Sequence, residues 1–210
     1  MRHRRKGRKL GRKPNHQRAL LRSLATALFL TERDAELDKN KPKIKGRIIT
    51  TIEKAKEVRP LVERCITLAR RALPALEAAD QLEPNAERNS EQWRAWRKSD
   101  GWQEWAQKMA PVVAARRRAL RMLGDKQAVR ILFDDIAPRF ADRNGGYTRV
   151  LRLSKPRLGD AGTRAILELV GKSDRVRKTA ARPAFESDEP AVASVAPAAE
   201  ESTATAEDQK

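Results

Sequence analysis

Two stretches, Gly145-Gly-Tyr-Thr-Arg-Val-Leu-Arg-Leu153 and Ala165-Ile-Leu-Glu-Leu-Val170, decide which fold is open to this chain. The first alternates from Tyr147 to Leu153, with Arg149 and Leu151 among its side chains, and reads as a strand. The glycine pair ahead of it supplies backbone that takes positive φ or lies close against another surface. The second stretch is a strand closing at Gly171. Lys155-Pro-Arg-Leu-Gly-Asp160 between them is a basic turn, so the two pair most simply as antiparallel neighbours. Upstream, Ile48-Ile-Thr-Thr-Ile52 is β-branched throughout and reads as a short buried third strand. The remaining pattern is helical. The expected class is therefore α+β: a small sheet of about three strands packed with several helices on one face.

The helical segments have their own signals. After Pro14-Asn15, Leu20, Leu24 and Leu28 recur at i, i+4 and i+8, with Leu21 beside them and Arg18 and Arg22 one turn apart on another face. Residues 32–46 are charged and turn-prone. Thr50 and Glu53 have capping-box spacing for the next helix, whose stripe runs through Val58, Leu61, Val62, Cys65, Leu68, Ala69 and Ala72. Pro60 within that stripe is expected to bend the helix or move its start. Cys65 on the apolar stripe reads as a buried structural thiol. Arg116-Arg-Arg118 and Arg121 are expected on a short helix ending at Gly124. Asp125 then caps a helix with Val129, Leu132, Phe133 and Ile136 on its buried face, up to Pro138.

From about Leu73 to Pro111 the character changes. All four tryptophans lie here, as Trp93-x-x-Trp96 and Trp102-x-x-Trp105 around Lys98-Ser-Asp-Gly101. Spacing of three puts each pair on one helical face, and Asp-Gly suggests a helical hairpin. The preferred reading is a small private core closed by four indoles. The alternative is a stacking surface for unpaired bases, with Arg94, Arg97 and Lys98 nearby.

Charge narrows the function. The chain has 210 residues, with 46 Lys+Arg against 28 Asp+Glu and a formal charge of +18. A surplus of that size points to a polyanionic partner. It is also uneven. Residues 1–22 hold ten basic residues and no acid, whereas residues 184–210 hold seven acids and only Lys210; residues 1–183 alone carry +24. The first dozen residues offer only Leu10 to bury and are expected to be extended until a partner orders them. The Ala/Pro/acidic tail reads as disordered. The domain reading is an arm over 1–14, one α+β domain over 15–173 with insertions at about 32–44 and 73–112, and a tail over 174–210. An Arg-rich, acid-poor start also suits an organelle transit peptide, but neither that nor a signal peptide accounts for so dense a basic run ahead of a helix.

Several classes fall away. No apolar run reaches the eighteen residues a membrane helix needs. One cysteine and two histidines exclude an internal disulfide framework and leave few soft metal ligands. Zinc-finger spacing is absent, no helix-turn-helix is evident, and Gly7-Arg-Lys-Leu-Gly-Arg12 lacks the strand and Lys-Ser/Thr ending of a phosphate loop. A nucleoid-type protein or a free RNA chaperone shares the composition and stays as the alternative.

Ordered blocks carry a resemblance. Met1-Arg-His-Arg4, Gly7-Arg-Lys-Leu-Gly-Arg12 and His16-Gln-Arg-Ala-Leu-Leu-Arg22 resemble the start of the bacterial large-subunit ribosomal protein L-seventeen family. Lys54-Ala-Lys-Glu-Val-Arg59 with Ile66-Thr-Leu-Ala69 is similar to its second helix. Pro138-Arg-Phe-Ala141, Arg143 and Gly145-Gly-Tyr-Thr-Arg149 resemble its most specific block, and Arg157-Leu-Gly-Asp160 with Glu168-Leu-Val170 its final hairpin. Residues 32–44, the Trp-bearing stretch and the acidic tail depart from that pattern, and Pro60 stands where the family usually has a basic or polar residue.

The resemblance implies a cytoplasmic structural constituent of the large ribosomal subunit supporting translation. It would hold 23S-type rRNA near the polypeptide exit side beside neighbouring large-subunit proteins. It implies no catalysis, no cofactor, no metal, no membrane and no small-molecule substrate. The arm uses Arg more than Lys, and Arg bonds phosphate bidentately and stacks on bases. The expected RNA-contacting residues are Arg2, His3, Arg4, Arg5, Lys6, Arg8, Lys9, Arg12, Lys13, His16, Arg18, Arg22, Arg116, Arg117, Arg139, Arg143, Gly145, Gly146, Tyr147 and Arg149. The two histidines read as added donors or stackers, since neither has a carboxylate or nucleophile partner nearby in sequence.

Overall fold

A proline at the first helical position gives up an N–H that has no acceptor there anyway, and Pro14 starts α1 (Pro14–Leu30) in that way. The computed structural model describes residues 7–36, 38–171 and 174. In chain order α1 is followed by β1 (Arg47–Thr51), α2 (Ile52–Asp80), α3 (Glu91–Lys98), α4 (Asp100–Leu123) and α5 (Lys126–Ile131). A wider π-turn over Leu132–Ile136 leads into α6 (Ala137–Arg139), and β2 (Thr148–Arg152) and β3 (Arg164–Leu169) complete the order. Residues 2–6 of the expected arm and the acidic stretch 184–210 lie outside the described residues.

The three strands form one antiparallel sheet in the order β1-β3-β2, so the last strand is central. Its register sets Arg47 and Arg149 on either side of Glu168, and Ile49 and Leu151 on either side of Ile166. Alternate residues Ala165, Leu167 and Leu169 are buried and face the helices. The β1 segment is thus an edge strand rather than a buried one: Ile49 on its outer side is 56% exposed. The expected capping box is also absent. The helix begins one residue later, with Thr51 at its N-cap and no side-chain hydrogen bond there.

α2 is longer than its apolar stripe suggested. It runs unbroken past both Pro60 and Pro74 for 29 residues, so Pro60 does not move its start. Each proline removes one helical N–H, a local cost that packing along α4 and the sheet offsets. The Arg116–Arg121 segment is not a separate short helix but the second half of the 24-residue α4, which passes through Pro111 and stops at Gly124 with φ of +80°. Asp125 accepts from Ala128 N at 2.9 Å, the N-cap expected for α5.

The core gathers Leu28 and Phe29 of α1, Val58, Val62 and Ile66 of α2, Leu132, Phe133, Ile136, Phe140, Tyr147 and Leu167. Each such side chain contributes roughly 1.5–3 kcal/mol through burial. Cys65 sits fully buried among them, and burial pushes its thiol up to about 12.

The tryptophan segment is built differently. Ser90 caps α3 by accepting from Trp93 N at 3.2 Å. The Trp102 and Trp105 rings stack at 4.7 Å, and Trp96 meets both edge-on at 5.3 and 5.9 Å. The Arg97 guanidinium lies 5.1 Å from the ring centres of both Trp93 and Trp102. Yet no residue from Asp80 to Pro111 is buried, and all four indoles are half-buried. The hairpin exists; the closed private core does not.

Candidate nucleic-acid interface

The described root of the arm, Gly7–Lys13, is folded back rather than extended. Leu10 and Gly11 both take positive φ, +54° and +62°, and Arg12 N donates to Lys9 O at 3.1 Å, closing a tight turn. Arg8 reaches Glu57 of α2 at 3.7 Å, and its carbonyl accepts from the Gln17 side chain. Arg12 donates to His16 Nε2 at 3.2 Å. Arg8, Lys9, Arg12, Lys13 and His16 therefore lie together against the start of α1. Arg2, His3, Arg4, Arg5 and Lys6 lie outside the described residues.

Arg18 and Arg22 project from the first half of α1, whose buried face begins only at Ala25. They line a groove with Asn15, Ser23 and Thr26, bounded by Leu123-Gly124-Asp125. Thr26 Oγ1 donates to Leu123 O at 3.2 Å and ties the groove's two walls together. Both arginines are exposed, and neither has a carboxylate within ion-pair distance among the described residues.

Elsewhere on the fold the picture reverses. Arg139 forks onto Glu32 at 2.8 and 3.1 Å, and this bond with the carboxylate raises its pKa further. Arg149 bonds Glu168 at 2.6 and 2.8 Å, while Arg47 approaches the same carboxylate at 3.3 Å. Two guanidinium groups thus cover Glu168, leaving it 4% exposed on the sheet's outer face. Arg116 bonds Asp134 at 3.0 Å and lies over the Phe133 ring. Arg143 donates to the carbonyl of Asp174 at 3.2 Å, and its own carbonyl accepts from Arg70 at 3.0 Å. Arg117 alone of this group is simply exposed.

Gly145 and Gly146 take φ of +96° and +64°, as a backbone turn requires, but a Cβ on either would meet nothing within 4 Å. They allow a turn, not a close approach within the chain. Tyr147 corrects the sequence reading most clearly. It is 1% exposed, with its ring 5.2 Å from Phe140, and is a core residue with no face left for a base. Glu63 fixes the strand start, accepting from Tyr147 N at 3.2 Å, Thr148 N at 3.0 Å and Thr148 Oγ1 at 2.7 Å.

The sequence reading missed one cluster. Lys56 and Arg59 of α2 and Arg152 of β2 line a cleft of about 490 Å³ over Ile52 and Val150. In the chain 93 residues separate Arg59 from Arg152, so only the packing of β2 along α2 brings them together. Two signals were available: Lys56 and Arg59 stand three apart, on one face of α2, and both fall in the Lys54–Arg59 block that resembles the family's second helix.

Among the described residues no group of His, Cys, Asp and Glu is arranged to hold a metal ion, and no helix is long and apolar enough to cross a membrane. The fold and its surface define a strongly basic α+β protein whose exposed cations include groups at the arm root, on α1, on α4 at Arg117 and in the α2–β2 cleft. The chain belongs to the ribosomal protein L17 family, whose sequence model matches residues 20–170. It is 65% identical over 190 residues to the large ribosomal subunit protein bL17 of Rhodopirellula baltica, covering 90% of each chain. It is 38% identical over 170 residues to the bL17 protein of Thermus thermophilus, spanning 81% of this chain and 99% of that one. The bL17 protein of Acidobacterium capsulatum is 36% identical over 171 residues, 81% of this chain and 73% of its own.

Proposed function

We propose that this chain is a structural constituent of the large ribosomal subunit. It holds 23S-type rRNA through the basic segment before α1 and through α1 itself, near the polypeptide exit side and beside neighbouring large-subunit proteins. It supports translation in the cytoplasm as a scaffold and carries out no reaction. The observation that carries the reading is the contrast in arginine pairing. Arg116, Arg139 and Arg149 are engaged by the chain's own acids, while Arg18 and Arg22 stand outward with no ion-pair partner among the described residues. Cations on the exposed first half of α1 fit phosphate, which supplies affinity and fixes position. Membership of the L17 family supports the ribosomal setting. Sucrose-gradient sedimentation of large subunits through a high-salt wash tests it. Retention of the chain with the subunit is expected. Its release into the free fraction, with RNA annealing activity of its own, would favour an RNA chaperone instead.

A further inference from the structure

The cleft between α2 and β2 carries an inference beyond the arm and α1. Along this contact one face of α2 reads Glu63, Arg59, Lys56, while β2 advances from Thr148 to Arg152. At the Glu63 end the acid accepts from three donors at the strand start. At the other end Lys56, Arg59 and Arg152 line one open cleft, and no carboxylate lines it with them. The nearest acid is that same Glu63, 3.8 Å from Arg59. Three like charges around one hollow repel one another unless an anion sits between them. The sheet's outer face shows the opposite treatment, with Glu168 set between Arg47 and Arg149.

We propose that this cleft holds the phosphodiester backbone of an rRNA strand, as an anchorage separate from the arm. The two arginines offer planar forks for phosphate oxygens, and Lys56 adds a point charge. Ile52 and Val150 on the floor give an apolar rest for the ribose between phosphates. A volume of about 490 Å³ admits a short length of sugar-phosphate backbone. This rests on the RNA-binding reading above. It differs from it in naming a second site, on the folded body of the protein.

The test compares the full chain, K56Q/R59Q/R152Q and a chain lacking residues 2–13, each titrated with transcribed 23S rRNA across a salt series. All three cleft residues are exposed, so the substitutions leave the core untouched. With three phosphate contacts at about 0.7–0.9 each, the log–log salt slope of the triple variant becomes shallower by roughly 2 to 3. The melting temperature of the free triple variant stays level or rises, because repulsion is relieved. Hydroxyl-radical footprinting loses one protected stretch and keeps the one due to the arm. An unchanged slope in the triple variant, beside a shallower one in the arm deletion, overturns the cleft and leaves the RNA reading standing. Unchanged slopes in both overturn the RNA reading itself. A lower melting temperature with an unchanged slope makes the three cations structural and also overturns the proposal.

Discussion

The arginines of α1 and those around the sheet look alike in the sequence and do opposite things in the fold. Arg18 and Arg22 face a groove and, among the described residues, form no ion pair, whereas Arg139 and Arg149 are each bonded to a carboxylate that the fold has nearly buried. A guanidinium is thus outward-facing charge in one region and mortar in the other. A basic residue is therefore a candidate RNA contact only after the acids across the fold have been assigned. The sheet-side arginines keep Glu32 and Glu168 from being unpaired charges in a low-dielectric setting, a role with large consequences for stability.

Substitutions in each region tell the two roles apart. Deleting residues 2–13 is expected to have the largest effect on RNA binding. If six of its charges neutralise phosphates, the salt slope becomes shallower by roughly 4 to 5, measured by filter binding; no change would mean the segment meets no phosphate. Next comes Arg139→Gln, which leaves Glu32 without its fork. Urea unfolding is expected to show a loss of about 2 kcal/mol, while the salt slope of RNA binding stays as it was. A steepened or flattened slope would erase the distinction between the two regions. Arg18→Gln with Arg22→Gln is the mirror experiment. The slope is expected to fall by roughly 1.4 to 1.8 with the melting curve unmoved, and a lowered melting temperature would make these residues mortar too. The smallest effect is expected from Gly146→Val. Space is open there, so only the positive φ is strained, at roughly 1–2 kcal/mol. Subunit incorporation should follow the melting temperature; incorporation lost with the fold intact would point to RNA closing on that turn.

Much of the fold was legible because its signals are local. The leucine period of α1, the Asp125 cap, the Gly124 stop and the three strands all depend on neighbours a few residues away. What failed was non-local. Glu32 and Arg139 stand 107 residues apart, and no charge count reveals that they meet. Tyr147 looks like an RNA contact beside two glycines until the fold buries it against Phe140. Lys56, Arg59 and Arg152 were overlooked because a strand and a helix had to be laid side by side before they formed a group. Helix lengths failed for a related reason: packing carries α2 through two prolines and joins the tryptophan segment to the arginine segment in α4. The tryptophan hairpin was legible as a hairpin but not as an unfinished one. Residues 81–111 carry five basic and five acidic side chains, so this lobe is neutral within a chain of +18 and lacks the charge logic of the rest.

The order of the strands has a kinetic consequence. β3 lies between β1 and β2, and those two do not bond each other. β1 therefore waits for a partner that begins 113 residues after it ends. Synthesis at about 5–20 residues per second puts α1 and the basic segment before it in the open for roughly 8–30 s before the sheet can close. Pairing over so long a separation is also slow once the chain is complete, because loop closure precedes any gain from contact. For that interval the molecule is a tethered polycation with no finished body. An RNA that met the chain in that interval would meet its charge before its finished shape.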